Sequence, residues 1–587
     1  MTKKIMPRNE YPRPHFERKD WLNLNGEWNF SFDEENIGER EQWYNVTNFE
    51  QKIIVPFTYE TEASGIEKEE FCPNIWYQKF VIVPKEYESK KVVLHFQAAD
   101  YITKLWVNGK FVGEHKGGQI AFSFDITNYL TENNELNIII KNEDSFSCYQ
   151  PRGKQRWKDE NFGCWYVQTT GIWQTVWLEY LNEENLESVK TTPNIDTDSV
   201  EFEFKFSDDI NLNSNLILKT SISFNNHPIK EFSLGIDCTR HTLDLNIASE
   251  VFHWKVMQWS PKEPNLYDVE FTLYKENHIV DQVHSYFGMR KISIENGNVL
   301  LNNVPLYQRL LLDQGYWKES HLTPPSEEAI IEDIDKTLEM GFNGVRKHMK
   351  VEDQRFLYWA DKKGLLVWSE MAATYDFSDE AVQNFTEEWM EVVKQQYNHP
   401  SIITWTPFNE SWGIRNVYTD VKQQKFTEAI YYLTKSMDSM RPVIVNDGWE
   451  HTISDIITLH DYVENGDEFI ERYADKERLL SNGIAFNKDK HAMVQGYEYN
   501  GQPIIISEYG GIAFNSEEGW GYGNHVKDDE EFLRRYESIT QAIKDTKYIS
   551  GFCYTQITDV QQEINGLLTE DRKSKINPEK IRDINLK

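Results

Sequence analysis

The sequence has few cysteines and no long apolar run. Its five cysteines are scattered, no two have Cys-x-x-Cys spacing, and none stands with histidine at metal-ligand spacing. We therefore expect free thiols in a reducing compartment. No run of about 18 apolar residues exists, so no membrane-spanning helix is expected. The N-terminal residues 1–20 have no apolar run after their lysines, which predicts a cytoplasmic protein without a secretory signal.

Basic charge is also scarce. Lysine and arginine total 62 against 95 aspartates and glutamates, which gives a net charge of −33. Nucleic acid and anionic membranes would repel such a chain, so neither is expected as a partner. Aromatic residues are abundant, in contrast, at 14%, with 19 tryptophans. They fill β-rich cores and also stack on the apolar faces of sugar rings, and composition does not separate these uses.

The chain is too long for one hydrophobic core and divides into three parts by pattern. Residues 20–182 contain short alternating segments separated by turn signals such as Asn108-Gly109, which indicates a β-sandwich or barrel. Residues 183–287 continue with roughly seven strands, which fits an immunoglobulin-like sandwich. From about Ser326 helices alternate with short apolar strands, beginning with a helix over Glu327–Met340 that Ser326 would cap. That alternation predicts a (β/α)8 TIM barrel.

Two predicted barrel strands end in glutamate. One is Ile402–Thr406, which leads to Asn409-Glu410, and the other is Pro503–Ile506, which leads to Glu508. Barrel chemistry occurs at the C-terminal ends of strands, and a strand-end carboxylate is costly to desolvate unless it is used or paired. Glycoside hydrolysis with retention needs two carboxyl groups about 5–5.5 Å apart. Glu410 is the expected acid/base, with a raised pKa, and Glu508 the expected nucleophile.

The pairing of the two glutamates and the position of Asn409 both support this hypothesis. A single strand-end glutamate is often only a salt-bridge partner, but two in one barrel favour catalysis. Asn409 is placed to hydrogen-bond the sugar 2-hydroxyl, an interaction that strengthens at the transition state.

Several motifs in this order resemble glycoside hydrolase family 2, which includes β-galactosidases, β-glucuronidases and β-mannosidases. They are Leu24-Asn25-Gly26-Glu27-Trp28, Gly171-Ile172-Trp173, Phe287-Gly288-Met289-Arg290, Gly344-Val345-Arg346-Lys347-His348, Phe408-Asn409-Glu410 and Ser507-Glu508-Tyr509-Gly510. The resemblance implies a multidomain protein: a jelly-roll-like, sugar-binding-like β-sandwich over 1–182, an immunoglobulin-like β-sandwich over 183–287 and a catalytic (β/α)8 TIM barrel over 288–587. It also implies that Glu410 is the acid/base and Glu508 the nucleophile.

The resemblance implies further substrate-binding residues. A barrel Arg and His deep in the family's sugar pocket correspond here to Arg346 and His348, although Arg346 could instead stabilise the charge of the nucleophile. Tyr462 and His460 are the candidates for orienting the nucleophile. Trp412 and Trp449 are candidate stacking platforms, with loop packing as the alternative. Gln556 stands where many relatives have Trp, so the specificity wall is expected to differ.

The sequence departs from the family at two specificity positions. Metal-dependent relatives carry Glu-x-His, whereas Trp368-Ser369-Glu370-Met371-Ala372 has no such His, so no metal or other cofactor is expected. β-Glucuronidases carry Asn-x-Lys, whereas Asn565 has Glu563 nearby and no Lys beside it. A glutamate would repel an anionic sugar, which argues against a uronide.

The resulting hypothesis is a retaining exo-glycosidase for a terminal neutral sugar, with β-galactoside favoured. α-L-Arabinoside, β-mannoside and β-glucoside stay open, β-glucuronide is disfavoured, and a non-catalytic carbohydrate-binding protein is the alternative class. The long polar tract Cys148–Trp165 is expected to reach the site and contribute Arg152 or Gln155. The expected partner is an oligosaccharide or glycoside substrate, and a homo-oligomer is compatible with the sequence.

Overall fold

The first domain is a sandwich of two antiparallel sheets. The computed structural model describes residues 6–46, 48–481, 490–515 and 518–587. One sheet has the order β3-β2-β4-β10-β7-β8 and the other β1-β12-β5-β9, and β6 pairs with β11 beside them. The strands are β1 (Trp21–Asn23), β2 (Gly26–Phe32), β3 (Gln51–Val55), β4 (Asn74–Ile82), β5 (Lys91–Phe96), β6 (Ala99–Asp100), β7 (Ile102–Val107), β8 (Lys110–Lys116), β9 (Phe122–Asp125), β10 (Glu135–Glu143), β11 (Gly171–Ile172) and β12 (Val176–Leu181). Inward side chains of both sheets, including Trp28, Tyr77 and Leu94, form one buried core.

The second domain is the expected seven-stranded sandwich. Its sheets have the orders β13-β14-β17 and β16-β15-β18-β19. Burial alternates residue by residue along β15, as it must for a strand with one face on the core. The strands are β13 (Leu186–Asn194), β14 (Ser199–Phe206), β15 (Leu216–Phe224), β16 (His227–Gly235), β17 (Arg240–Asn246), β18 (Tyr267–Lys275) and β19 (His278–Phe287).

A small antiparallel meander leads into a barrel of parallel strands. The meander consists of β20 (Ile292–Glu295), β21 (Asn298–Leu301) and β22 (Val304–Pro305). The barrel sheet has the order β26-β25-β24-β23-β31-β30-β29, and the pair β27-β28 continues it. Its strands are β23 (Gln308–Asp313), β24 (Gly344–Lys347), β25 (Leu366–Glu370), β26 (Ile402–Thr406), β27 (Phe408–Asn409), β28 (Asn446–Asp447), β29 (Ile457–His460), β30 (Ile504–Gly510) and β31 (Ile549–Thr555). Leucine, isoleucine and tryptophan side chains from these strands fill the interior.

Helices surround the barrel. They are α1 (Glu327–Glu339), α2 (Gln354–Lys363), α3 (Asp379–Gln396), α4 (Val421–Met437), α5 (Gly466–Tyr473), α6 (Lys476–Leu480), α7 (Asp529–Asp545) and α8 (Pro578–Leu586). The Ser326 cap is confirmed, because its Oγ accepts from the Ala329 amide at 3.2 Å. Among the described residues no helix separates β28 from β29, and none is long and apolar enough to cross a membrane.

The apolar pattern misplaces one barrel strand and misses another. The apolar run Pro442–Val445 indicates a strand, but the paired residues are Asn446–Asp447, and Val443 makes only an isolated bridge to Trp405. The first barrel strand, Gln308–Asp313, was not predicted, because one apolar run of three leucines between polar residues carries no strand period. The five cysteines are free thiols, as expected.

Candidate active site

Four barrel strands bring charged side chains together at their C-terminal ends. Arg346 lies on β24, Glu410 directly follows β27, His460 ends β29, and Glu508 lies on β30. Parallel barrel strands end on the same face, so residues far apart in sequence converge there. One carboxylate oxygen of Glu410, one of Glu508 and a ring nitrogen of His460 all lie within 4.8 Å of one another.

Glu410 is held in a left-handed backbone turn. Its φ is 51° and that of Ser411 is 59°, a conformation that side chains other than glycine seldom adopt. The Glu410 amide donates to the Asp447 carbonyl at 2.9 Å, and the Ser411 amide donates to Asn446 Oδ1 at 3.0 Å. The turn leaves 23% of the Glu410 side chain exposed, compared with 5% for Glu508. Glu410 therefore faces the open side of the site and Glu508 its floor.

Three donors converge on Glu508. Arg346 Nη1 lies 2.8 Å from Oε1, and the Tyr462 hydroxyl lies 2.5 Å from Oε2. His460 Nδ1 lies 3.4 Å from the same Oε2. Tyr462 and His460 thus lie where they can orient this carboxylate, the role that the sequence predicted for them. Tyr462 in turn stacks on Tyr522, with ring centroids 3.4 Å apart.

Arg346 is fully buried and contacts protein groups only. Its guanidinium donates to Glu370 at 2.7 Å, to Asn409 Oδ1 at 2.8 Å and to Glu508, and Nη1 lies 3.0 Å from Asp447. With no exposed surface on its side chain, Arg346 is engaged by these protein groups, and its assignment as a substrate-binding residue stays a prediction. The alternative role, stabilising the charge of the nucleophile, fits these contacts.

Asn409 and His348 are fixed by the same arginine. Asn409 Oδ1 accepts from Arg346, and its Nδ2 has no partner among the described residues, as a donor to a sugar hydroxyl requires. His348 Nδ1 lies 2.6 Å from Arg346 Nη2 and 3.0 Å from Glu370. Burial, Lys154 and Arg346 hold the pKa of His348 well below its usual range, so its imidazole is neutral.

His460 bridges the two halves of the site as an imidazolium. Its Nδ1 lies 2.9 Å from Glu410 Oε1 and its Nε2 lies 2.8 Å from Asp447 Oδ2. Burial disfavours its charge, but Glu508, Asp447 and Glu410 raise the pKa of His460 to about 10. Because both ring nitrogens then carry protons, a metal cation would have to displace the Nδ1 proton before this histidine could ligate it.

The expected raised pKa of Glu410 is wrong for the unliganded site. Burial alone would raise it, but the hydrogen bond and charge of His460, with Lys154 and Arg346, lower the pKa of Glu410 below its usual value. No motif indicated that His460 would bond to this carboxylate. The pKa of Glu410 is therefore tuned by a histidine from another strand end.

The two tryptophans lie at different places around Glu410. Trp412 packs edge-on against Trp165 and Tyr375 at 5.1 and 5.4 Å, so it belongs to an aromatic cluster between the first domain and the barrel. Trp449 packs against His460 at 5.6 Å and lines an open cleft beside Glu410. Loop packing, the alternative, describes Trp412, whereas Trp449 stays a candidate platform.

The polar tract 148–165, here termed the arm, reaches the barrel mouth as predicted. The amides of Arg152 and Gly153 donate to the Ala373 carbonyl at 3.0 and 3.2 Å. On the far side, Trp520 Nε1 donates to the Gly163 carbonyl at 2.9 Å, and Gln562 does so at 3.0 Å. The arm therefore covers one side of the mouth.

The arm residues predicted to bind substrate are engaged in contacts that fold the arm. Arg152 is buried and donates to the Arg156 carbonyl at 3.1 Å and, just before the arm, to the Ser147 carbonyl at 3.1 Å. Gln155 is buried and bonds to Asp100 Oδ2 at 2.7 Å and to the Thr169 amide at 2.8 Å. Both side chains fold the arm. A segment that must satisfy its own backbone groups uses its longest polar side chains for that purpose.

Lys154, which lies between Arg152 and Gln155 in the arm, points to the site instead. Its Nζ lies 3.2 Å from Cys164 Sγ, the one hydrogen-bond partner that it has among the described residues, and 6.0 Å from the centroid of the Trp165 ring. Burial disfavours its charge, but Cys164, Glu563 and Glu508 raise the pKa of Lys154 above its usual value. Lys154, Cys164 and Tyr522 are site residues that sequence reasoning missed. Only the position of Lys154 and Cys164 in the arm could have suggested them.

Gln556 is fully buried beneath the site. Its Oε1 accepts from Gln314 at 2.7 Å, and its Nε2 donates to Asn565 at 2.9 Å. Asn565 donates to Glu563 at 3.0 Å, and Glu563 also accepts from the Tyr166 hydroxyl. Gln556 therefore supports the wall through this amide network, and its assignment as a substrate contact stays a prediction. Glu563 is likewise occupied by protein donors.

Comparison with known proteins places the whole chain in one group. Family models match as "Glycosyl hydrolases family 2, sugar binding domain" over residues 22–178, "Glycosyl hydrolases family 2" over 185–290 and "Glycosyl hydrolases family 2, TIM barrel domain" over 292–584.

Individual relatives differ in their named sugar. A β-galactosidase of Thermoanaerobacter pseudethanolicus is 27% identical over 86% of this chain and 68% of its own length. A β-glucuronidase of Streptococcus agalactiae is 24% identical over 84% of this chain and 82% of its own. The apo structure of a Ruminococcus gnavus β-glucuronidase superposes with a TM-score of 0.79 over 98% of this chain and 100% of its own, at 16% identity. That likeness shows the shared fold.

Proposed function

Because the chain belongs to glycosyl hydrolase family 2, we propose that it is a retaining, exo-acting glycosidase with Glu410 as acid/base and Glu508 as nucleophile. The observation that carries the proposal is the close approach of the two carboxylates, whose nearest oxygens lie within 4.8 Å. Retention needs carboxyl groups about 5–5.5 Å apart, whereas inversion needs about 6.5–9.5 Å to admit water.

The reaction proceeds in two displacements. Glu508 attacks the anomeric carbon while Glu410 gives its proton to the departing glycosidic oxygen, which leaves a glycosyl ester on Glu508. Water then attacks the same carbon, Glu410 takes its proton, and the ester bond to Glu508 breaks. Asn409 Nδ2 hydrogen-bonds the sugar 2-hydroxyl. Arg346 and Tyr462 hold the carboxylate of Glu508 in line, and His460 supports the charge of Glu410 after proton transfer.

The arm supports exo action. It covers one side of the barrel mouth through contacts with Ala373, Trp520 and Gln562, so the pocket accepts a chain end rather than the middle of a polymer.

A terminal neutral sugar is the proposed substrate, with β-galactoside the first candidate. Glu563 beside the site disfavours an anionic sugar, and the Thermoanaerobacter relative carries the name β-galactosidase. α-L-Arabinoside, β-mannoside and β-glucoside are the competing neutral substrates. A second candidate, β-glucuronide, is favoured by Lys154, whose ammonium hydrogen-bonds only to a thiol among the described residues and could pair with a carboxylate.

A panel of p-nitrophenyl glycosides tests the function and the sugar together. With the best substrate, Glu508→Gln is expected to lower kcat by at least about 10³-fold, because the nucleophile is lost. Glu530→Gln, an exposed residue of α7, is the matched control. NMR of the first-formed product should show the anomer of the substrate. Inverted product would contradict retention, and a wild-type protein that binds sugars without turnover would establish the carbohydrate-binding alternative.

A further inference from the structure

A cleft of about 950 Å³ opens beside the catalytic acid. Glu410 forms part of its wall and Glu508 does not, and Trp449, Tyr462 and Tyr522 line its inner end. Ligand sites commonly enclose about 300–1,000 Å³, so this cleft has room beyond the single sugar that is cleaved. In glycoside hydrolysis the acid stands on the side of the departing group. The cleft therefore holds the leaving group.

The outer lining of the cleft is polar and of both signs. It includes Asp461, Glu464 and Asn465 after β29, Glu468 and Arg472 of α5, Lys490, and Asn524. Sites for apolar molecules are lined mainly by hydrophobic and aromatic side chains, whereas here the apolar and aromatic members are the minority Trp449, Tyr462, Val463 and Tyr522. A sugar hydroxyl both donates and accepts, so it needs acceptors and donors within reach. Carboxylates beside amides and cations supply both.

These side chains are held in place before any ligand arrives. Arg472 pairs with Glu468 at 2.8 Å and with Asp461 at 2.5 Å, and Lys490 lies 3.0 Å from both Glu450 oxygens. Lys490 also lies over the Trp449 ring, 5.3 Å from its centroid. Fixed side chains lose little entropy when they bind, which favours specific recognition.

From this lining we infer that the leaving group is itself a carbohydrate, so that the substrate is the end of an oligosaccharide rather than a glycoside of an apolar alcohol. The inference rests on the proposed function, because it takes Glu410 as the acid. The inner aromatic side chains accept the apolar face of the first leaving sugar, and the outer polar residues bond its hydroxyls and those of the next unit.

The test compares leaving groups of similar chemical reactivity attached to the same terminal sugar. That sugar is the one selected by the nitrophenyl panel, and its methyl, octyl and disaccharide glycosides all release an alcohol. The disaccharide is expected to have a kcat/KM at least about tenfold above the methyl glycoside, mainly through KM. Equal values, or a preference for the octyl glycoside, would overturn the inference.

Substitutions in the cleft test whether its residues cause the preference for the disaccharide. The double variant Glu468→Gln/Lys490→Met is expected to lower the ratio of disaccharide to methyl-glycoside kcat/KM by about tenfold, since each lost hydrogen bond weakens binding several-fold. Glu471→Gln, an exposed residue of the same helix α5, is the control and should keep the wild-type ratio. An unchanged ratio in the double variant would contradict the assignment. If the 2,4-dinitrophenyl glycoside is not hydrolysed either, the proposed function has failed rather than this inference.

Discussion

At the scale of single residues, the site depends on how each charge is partnered. Arg346 alone binds Glu370, Asn409 and Glu508, and His460 joins Glu410 to Asp447. Gly448 allows His460 to lie between Glu410 and Asp447. A Cβ at Gly448 would lie 2.7 Å from the His460 ring, and the φ of Gly448 is +101°. The protonation of Glu410 thus depends on the charges placed around it, His460 first among them.

Replacing His460 should shift the pH profile. His460→Asn removes a positive charge that favours ionised Glu410, so the pKa of Glu410 rises. Because Glu410 must carry a proton in the first step, the alkaline limb of kcat/KM against pH should move to higher pH. His284→Asn in the second domain is the control. An alkaline limb at the wild-type position would show that His460 does not tune the acid.

Removing the ammonium group of Lys154, a residue of the arm, should weaken catalysis. Lys154→Met is expected to lower kcat/KM about 10- to 100-fold, because a charge-assisted hydrogen bond to the sugar is lost. Lys158→Met, an exposed lysine of the arm, should leave kcat/KM unchanged. A greater loss with a glucuronide than with a neutral glycoside would favour the second candidate sugar. Equal activity of both variants would exclude Lys154 from the site.

At the scale of elements, the barrel supplies the carboxylates and the arm supplies a wall. The arm comes closest to the barrel at Gly153, where φ is +59° and a Cβ would lie 2.2 Å from the Met349 carbonyl oxygen. Only glycine fits so close an approach. The Tyr375 hydroxyl also donates to the Gly153 carbonyl, so this position anchors the arm from two sides.

A methyl group at this position should displace the arm. Gly153→Ala is expected to lower kcat/KM about tenfold or more, because misplacing a substrate-positioning segment by about 1 Å can cost far more than binding alone. Gly235→Ala, where a Cβ meets nothing within 4 Å, is the matched control for kcat/KM and for Tm. Wild-type kcat/KM in Gly153→Ala would mean that the close approach of the arm to Met349 is not needed for catalysis.

At the scale of the whole molecule, the first domain docks on the barrel through buried polar contacts. The Gln119 amide of the first domain donates to Glu388 Oε2 of α3 at 3.1 Å. Burial, assisted by Asp100, raises the pKa of Glu388 to about 8, so the carboxyl group is largely protonated at neutral pH. A group with a raised folded pKa contributes stability below its unfolded pKa and loses it as pH rises through the folded pKa.

Stability should therefore depend on Glu388 between about pH 4.5 and about pH 8. Glu388→Gln, which is neutral at every pH, is expected to raise Tm relative to wild type at pH 8 and to leave it nearly unchanged at pH 5. The free-energy difference at pH 8 is on the order of 3 kcal/mol. Glu387→Gln, the exposed neighbour, is the control. A Tm gain of equal size at both pH values would contradict ionisation as its cause.

The sequence by itself determined the fold class and the two carboxylates. Period-two alternation, the Ser326 cap and the apolar runs that lead to Glu410 and Glu508 are local signals. They can be recognised in a short stretch of sequence without knowing which residues become neighbours in the fold. The same holds for the arm, whose length and polarity marked it as a functional loop. The family motifs added the order of the domains.

Only the tertiary structure decided which side chains meet. Lys154 and not Arg152 or Gln155 points to the site, Gln556 is buried beneath it, and His460 lowers the pKa of Glu410 that was expected to be raised. Each of these facts depends on contacts between strand ends or domains far apart in the chain. A pKa or a side-chain direction is fixed by whatever lies within a few ångströms, and the sequence does not specify that until the chain has folded.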